Sequence, residues 1–428
     1  MSAEPAAAQP VPHLDDLDQW VCDAHDRYAN SHPKSLSEQE RAQRVLPGGN
    51  TRSVLHFEPF PFRVVFAEGA EVIDLDGHRY TDFCGNYSAG LLGHSSAAVK
   101  QAILDALDRG WAVGATHREE TDLAERICDR FASIEQVRFT NSGTEANLMA
   151  IGTALHHTDR SAVGVFDGAY HGGVLAFGDS PGGPHNSLNV PHRYRVAEFD
   201  SIDGLDELFA ESDLGCVLIE LVQGSGGCRP VSPAFLTELR DRCDASGTVL
   251  IFDEVMTSRL SHGGAQQRYG VTPDMTTLGK YLGGGMTFGA FGGRREIMAV
   301  FDPASGGALT QAGTFNNNVV TVAAATAALD TELSAERIDE VNRRGDRLRD
   351  DLDKAFSAYR LPMWVTGMGS MLCIHTTDDR LLELFFHAAI DEGLFIARRG
   401  FMALSMALTD EDIQSLVKFT TKWSATIK

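Results

Sequence analysis

Residues 248–255 read TVLIFDEV: a threonine, four apolar residues, two carboxylates and a valine. A β-branched and aromatic run without a polar face suits a strand of a parallel sheet covered by helices on both sides. Working outward, CVLIELV (216–222), AVGVF (162–166) and VRFT (137–140) share this character, and a helical stretch at 143–156 separates two of them. Alternation of this kind predicts an α/β domain with a mostly parallel sheet flanked by helices. In such a sheet the ligand crevice lies beyond the carboxyl ends of the strands, so the residues that follow each strand are the ones to weigh.

Composition narrows the partners. The 428 residues carry 37 Lys and Arg against 59 Asp and Glu, a formal net charge of −22. That balance argues against a broad nucleic-acid footprint and against a polybasic membrane surface. No apolar run approaches the roughly 18 residues needed to cross a bilayer, and the N-terminus lacks a basic region followed by an apolar core. The seven cysteines are scattered with no CxxC pair, which predicts a reduced, cytoplasmic protein.

The chain divides into four stretches. Residues 1–12, rich in Ala and Pro, read as a disordered tail. Residues 13–95 read as a helical and β-rich segment, with surface helices up to Gln43, a break at LPGGNTR (46–52) and a hairpin about Asp76-Gly77. Residues 96–333 form the large α/β domain. Residues 334–428 form an α+β unit, with a long charged helix at 334–358, a helix near 379–392, a short strand at FIA (395–397) and a closing helix after Thr409. The first and last structured stretches are assigned to one smaller domain built from both termini.

Four local signals fall at strand ends. In FTNSGTEAN (139–147), Ser142, Gly143 and Thr144 open a helix whose free N–H groups make an anion site, although a plain N-cap reads the same way. In LIFDEVMTSR (250–259), Asp253 and Glu254 close a buried strand, and a buried carboxylate needs a cation, a protonated heterocycle or a salt bridge to a residue such as Arg259. In LGKYLGGGMTFGAFGGR (278–294), Lys280 stands among seven glycines with no carboxylate nearby in sequence. If desolvated it has the lowered pKa of an imine-forming amine; if exposed it is one more lysine on a Gly-rich loop. In FDGAYHGG (166–173), Tyr170 is an aromatic ring flanked by glycines, open to a flat ligand or to ordinary packing. Together the four supply what pyridoxal phosphate needs: a phosphate cradle, a ring face, a carboxylate for the ring nitrogen and an amine.

With these motifs in this order, the sequence resembles the class III, fold type I pyridoxal-phosphate aminotransferases from about residue 45 onward. It is most similar to the branch that holds glutamate-1-semialdehyde aminomutase and the β-amino-acid aminotransferases. The resemblance implies that Lys280 is the Schiff-base lysine and that Asp253 partners the pyridine nitrogen. It implies Ser142, Gly143 and Thr144 at the phosphate, Tyr170 on one ring face and Val255 on the other. Glu220 corresponds to a family glutamate near the cofactor, with Leu221 standing where the family has proline. Thr314, in GTFNNN (313–318), matches a residue that reaches the phosphate of the neighbouring subunit, which implies a homodimer with shared active sites.

Two arginine positions separate the branches. PGGNTRSV puts an arginine at Arg52, and IARRGF (396–401) resembles the β-amino-acid enzymes, where the mutases carry a glutamate about where Arg398 stands. Two arginines suit an enzyme that binds an amino-acid donor and then a 2-oxo-acid acceptor. Neighbouring strand residues face opposite ways, so one of Arg398 and Arg399 is expected in the pocket, with Arg398 favoured. The expectation is a β-amino-acid:2-oxoglutarate (or pyruvate) aminotransferase yielding a 3-oxo acid. The rivals are glutamate-1-semialdehyde 2,1-aminomutase and a non-catalytic dimer that keeps the fold without the cofactor.

Overall fold

The structure is a computed structural model that describes residues 16–178, 188–306 and 309–427. The expected N-terminal tail, 1–12, lies outside the described residues. The chain begins with helices α1 (Leu17–Ser31) and α2 (Pro33–Gln43), followed by strands β1 (Val64–Glu68), β2 (Glu71–Asp74) and β3 (Arg79–Asp82). β2 and β3 form the antiparallel hairpin expected about Asp76-Gly77. Its turn is set by Asp74 Oδ1, which accepts from the backbone N–H groups of Asp76, Gly77 and His78.

Helices α3 (Ala97–Arg109) and α4 (Arg118–Arg130) lead into β4 (Gln136–Thr140), α5 (Gly143–Thr158), β5 (Ala162–Phe166), β6 (Arg193–Ala197) and α6 (Ile202–Leu208). Next come β7 (Leu214–Ile219), the short pair β8 (Val222–Gln223) and β9 (Arg229–Pro230), and α7 (Pro233–Ser246). The domain continues with β10 (Val249–Asp253), α8 (Gly264–Tyr269), β11 (Met275–Gly279), β12 (Gly289–Gly293), α9 (Arg295–Met298) and α10 (Val319–Ala327). Seven strands make one sheet in the order β4-β12-β11-β10-β7-β5-β6. β12 runs antiparallel to both neighbours, and the other strand pairs are parallel.

The apolar run at 214–219 is explained by its two covered faces. Cys216 and Leu218 join the core beneath α5, with Ala146 and Ala150. Val217 and Ile219 join the core beneath α7, with Leu236 and Leu239. Alternate residues of one strand thus enter two different cores.

The C-terminal part comprises α11 (Ala335–Ala358), β13 (Met363–Met368), β14 (Met371–Thr376), α12 (Asp379–Asp391), β15 (Leu394–Phe395), β16 (Phe401–Ala403) and α13 (Asp410–Thr426). Thr409 closes a capping box with Asp412 at the start of α13. β15 pairs in parallel with β3, so the two ends of the chain share the four-stranded sheet β1-β2-β3-β15. No helix among the described residues is long and apolar enough to cross a membrane.

Candidate active site

Five strands of the large sheet deliver their C-terminal ends to one place. Beyond β4, Ser142 caps α5: its hydroxyl accepts from the Glu145 N–H at 3.2 Å. The N–H groups of Gly143 and Thr144 open the helix, where the first-turn N–H groups have no intrahelical acceptor. A Cβ on Gly143 would lie 2.7 Å from Val255 Cγ2, so only glycine lets the helix start meet the segment that follows β10. A Cβ on Gly172 would lie 2.2 Å from Thr144 Oγ1, which brings the loop after β5 against the same helix start.

The two carboxylates at the end of β10 have separate fates. Glu254 is buried and accepts from the Ala265 N–H at 2.8 Å, the Gln266 N–H at 2.9 Å and the Thr257 hydroxyl at 3.0 Å. It is a structural anchor for the start of α8. Asp253 Oδ2 accepts from Asn147 Nδ2 at 2.8 Å and pairs with His171 Nδ1 at 2.8 Å, while Oδ1 accepts from the Val255 N–H at 3.0 Å. Asn147 is itself fixed, because its Oδ1 accepts from Thr277 Oγ1 at 2.6 Å. Arg259 pairs with neither carboxylate. Its buried guanidinium donates to Ser370 Oγ at 2.8 Å and to the carbonyls of Ser88 and Leu404.

Lys280 follows β11 directly, in a left-handed backbone conformation of φ +55°. Such a residue costs about 1–3 kcal/mol and persists where its surroundings dictate it. Burial lowers its ammonium to about 8; Asp253 and Glu220 oppose that shift, while Arg399 and Arg259 reinforce it. Glu220, after β7, is buried, and its oxygens accept from the Tyr170 N–H at 3.0 Å and the Gly224 N–H at 3.1 Å. Burial and the neighbouring Asp253 push its carboxyl up against the opposing pull of His171. The Tyr170 side chain is 45% exposed.

Arg52 lies on the loop after α2. Its Nη1 donates to Asn86 Oδ1 at 2.8 Å, and its Cζ stands 5.5 Å from the centre of the Tyr87 ring. Arg399 Cζ lies 5.7 Å from that same ring and 5.4 Å from the Phe401 ring. Arg398 turns elsewhere: its Nε donates to Glu383 Oε2, on α12, at 2.6 Å. Arg398 is thus committed to Glu383, and Arg399 is the one of the pair that lies beside Tyr87. β15 stops at Phe395, so strand alternation does not reach the two arginines, which occupy the corners of a turn closed by the Gly400 N–H on the Ala397 carbonyl. Thr314 is exposed, on a loop joined to the helix start by the hydrogen bond from Asn141 Nδ2 to Asn316 Oδ1 at 3.0 Å.

Sequence reasoning did not single out Asn147, His171 or Tyr87. Two of them stood inside quoted motifs. Asn147 ends NSGTEAN one helical turn after Gly143, and His171 follows Tyr170, so a search for polar neighbours of Asp253 could have found both.

The donor set fits pyridoxal phosphate. A half-buried lysine lies within electrostatic reach of a buried carboxylate, a glycine-opened helix start meets the segment after β10, and His171 Nε2 is a buried polar atom without a hydrogen-bond partner among the described residues. Fold and site together define a pyridoxal-phosphate transferase of fold type I. The family model described as aminotransferase class-III matches residues 56–422, and the chain belongs to that family. It is an aminotransferase and depends on pyridoxal phosphate. The β-phenylalanine transaminase of Variovorax paradoxus is 42% identical over 416 residues, covering 94% of this chain and 95% of that protein. The crystal structure of the Variovorax paradoxus β-phenylalanine aminotransferase has a TM-score of 0.92 at 41% identity, covering 96% of this chain and 97% of that one. A transaminase solved with pyridoxal phosphate bound has a TM-score of 0.86 at 31% identity over 92% of this chain and 97% of that one. A glutamate-1-semialdehyde aminomutase from Pseudomonas aeruginosa has a TM-score of 0.88 over 97% of this chain and 99% of that one, but at 22% identity it shares the fold alone.

Proposed function

We propose that this aminotransferase takes its amino group from a β-amino acid, releasing a 3-oxo acid, and passes it to 2-oxoglutarate or pyruvate. The observation that carries the reading is the convergence of two guanidinium groups, Arg52 and Arg399, on the single ring of Tyr87. Each can hold a carboxylate in a bidentate pair, which suits alternating donor and acceptor. The likeness to a β-phenylalanine transaminase supports the donor class.

The cofactor, when bound, supplies a carbonyl that takes up the amino group and a ring that accepts the electron pair. The chain's own residues do the rest. Lys280 Nζ takes the proton from the substrate carbon and returns it as general base and acid. Asp253, steadied by Asn147 and His171, holds the proton on the ring nitrogen. The helix start at Ser142, Gly143 and Thr144 binds the phosphate. Tyr170 and Val255 would hold the bound ring, and Glu220 orients the Tyr170 loop by accepting from the Tyr170 backbone N–H.

The active unit is a homodimer in which Thr314 reaches the partner's phosphate site. Exposed apolar side chains at Leu104, Leu107, Trp111, Val113 and Phe315 support such an interface. All seven cysteines are free, in keeping with the cytoplasm.

The test is a half-reaction. Adding an enantiopure β-amino acid to the cofactor-loaded enzyme should bleach the visible absorption band, and 2-oxoglutarate or pyruvate should restore it. Turnover of glutamate-1-semialdehyde without any acceptor would instead point to the mutase, and a purified protein with no visible band would point to a non-catalytic dimer.

A further inference from the structure

Helix α1 gives way to α2 at His32, a buried imidazole packed against the β2–β3 hairpin. Its Nδ1 faces two acceptors at 2.8 Å, the Tyr28 carbonyl and Ser31 Oγ, and the Ser31 hydroxyl gives its own proton to that carbonyl. The ring proton therefore sits on Nδ1, and Nε2 presents a lone pair. That lone pair lies 3.3 Å from Asp74 Oδ2, and His78 Nδ1 lies 3.0 Å from the same oxygen. The Tyr80 hydroxyl offers one proton to two acceptors, His32 Nε2 at 2.8 Å and Asp74 Oδ2 at 2.9 Å.

Asp74 lacks a permanently charged partner: its side chain is wholly buried, and among the described residues it has no Lys or Arg partner, only the two imidazoles. A neighbouring cluster of the same residue types, His25, Glu383 and His387, differs on this point. There Arg398 Nε meets Glu383 Oε2 at 2.6 Å and supplies the positive charge. At Asp74 no guanidinium or ammonium does so.

We propose that His32, Asp74 and His78 bind a divalent transition cation of the zinc type. Two imidazole nitrogens and one carboxylate oxygen are the donors such an ion prefers. Their separations of 3.0 and 3.3 Å from the shared oxygen approach the edge of about 3.3 Å of a tetrahedron with bonds near 2.0 Å. All three donor atoms lie within 4.8 Å of one another. Two ligands are held from behind, His32 by the Tyr28 carbonyl and Asp74 Oδ1 by three backbone N–H groups, an arrangement that orients metal ligands. The His78 side chain is 40% exposed, which opens a path for the ion. The ion fastens the α1–α2 joint to the hairpin. From α2, Gln39 Nε2 donates to the Gly48 carbonyl, on the loop that leads to Arg52.

Calorimetric titration of tag-free, dialysed holoenzyme with zinc chloride tests this assignment. One zinc per chain is expected to bind and to raise the thermal midpoint of the holoenzyme. His78→Ala, at the half-buried turn of the hairpin, should weaken binding about tenfold or more and abolish the thermal shift, whereas His25→Ala should change neither. His78→Gln, which keeps the bulk of the side chain, should behave as His78→Ala does. No uptake by the unmodified enzyme at about 1 mM zinc, unchanged binding in both His78 variants, or loss of binding in His25→Ala would overturn the assignment.

Discussion

His171 Nδ1 lies 2.8 Å from Asp253 Oδ2, and both side chains are buried. With Asn147 on the same oxygen, the carboxylate that terminates β10 is fixed by donors from the loop after β5 and from the first turns of α5. A charge-assisted hydrogen bond of this kind contributes roughly 1.5–3 kcal/mol. His171→Ala should therefore lower kcat by about 10- to 100-fold while the enzyme keeps its cofactor, and Asp253→Ala should cost more. Turnover and visible absorbance measured on the same samples check both, and an unchanged kcat in His171→Ala would remove the pair from the reaction.

Lys280 gives a pH dependence of definite sign. Its ammonium is lowered to about 8, chiefly by burial. The neutral amine is the nucleophile, so capture of pyridoxal phosphate by the cofactor-free enzyme should speed up with rising pH and level off above about 8. Arg399 contributes to the lowering, so Arg399→Gln should move the inflection to higher pH. Stopped-flow absorbance after mixing reads the rate, and a profile flat from about pH 6 to 10 would contradict the assignment. Lys280→Ala should form no covalent link at all.

Much of the fold was legible because period and length left little choice. A run such as VLIF, apolar on both faces, has few homes besides a covered parallel strand, and Asp76-Gly77 between apolar residues specifies a hairpin. The glycine-rich stretch around Lys280 was less transparent. β12 is GAFGG, with too few β-branched residues to announce a strand, and its glycines are there because added Cβ atoms would strike β4 and β11. At the site, residues next to a strand end were readable from the sequence, as Asp253 and Lys280 were. Those that depend on long-range docking were not: Arg399 meets Tyr87 only because a turn, rather than a strand, carries it.

The two arginines should separate in kinetics. Arg52→Ala should raise KM for amino donors and Arg399→Ala should raise KM for the dicarboxylate acceptor, each by about 10- to 100-fold, as expected for loss of a bidentate ion pair. Arg398→Ala should leave both KM values alone, because its guanidinium is committed to Glu383. Steady-state measurement with donor and acceptor varied in turn gives all three answers. An effect of Arg398→Ala on the acceptor KM, with none from Arg399→Ala, would restore the arginine favoured from sequence.

Glu383 offers a test in acid. Burial works against its charged form, but hydrogen bonds from His387, His25 and Arg398 outweigh that and hold its carboxyl at about 2, below the ordinary 4.5. A carboxyl lowered in the folded state stabilises the fold fully above its unfolded pKa, and the benefit is lost as pH falls toward the folded value. The shift corresponds to about 3 kcal/mol at neutral pH, an upper figure that solvent screening at the half-exposed Arg398 reduces. Glu383→Gln should therefore unfold more readily than the unmodified enzyme at pH 7, and the gap should narrow progressively between about pH 5 and pH 2. Thermal or urea midpoints of the two proteins across that range decide the matter: a difference that stays constant with pH would mean that Glu383 acts through packing between α12 and α1 and not through its charge.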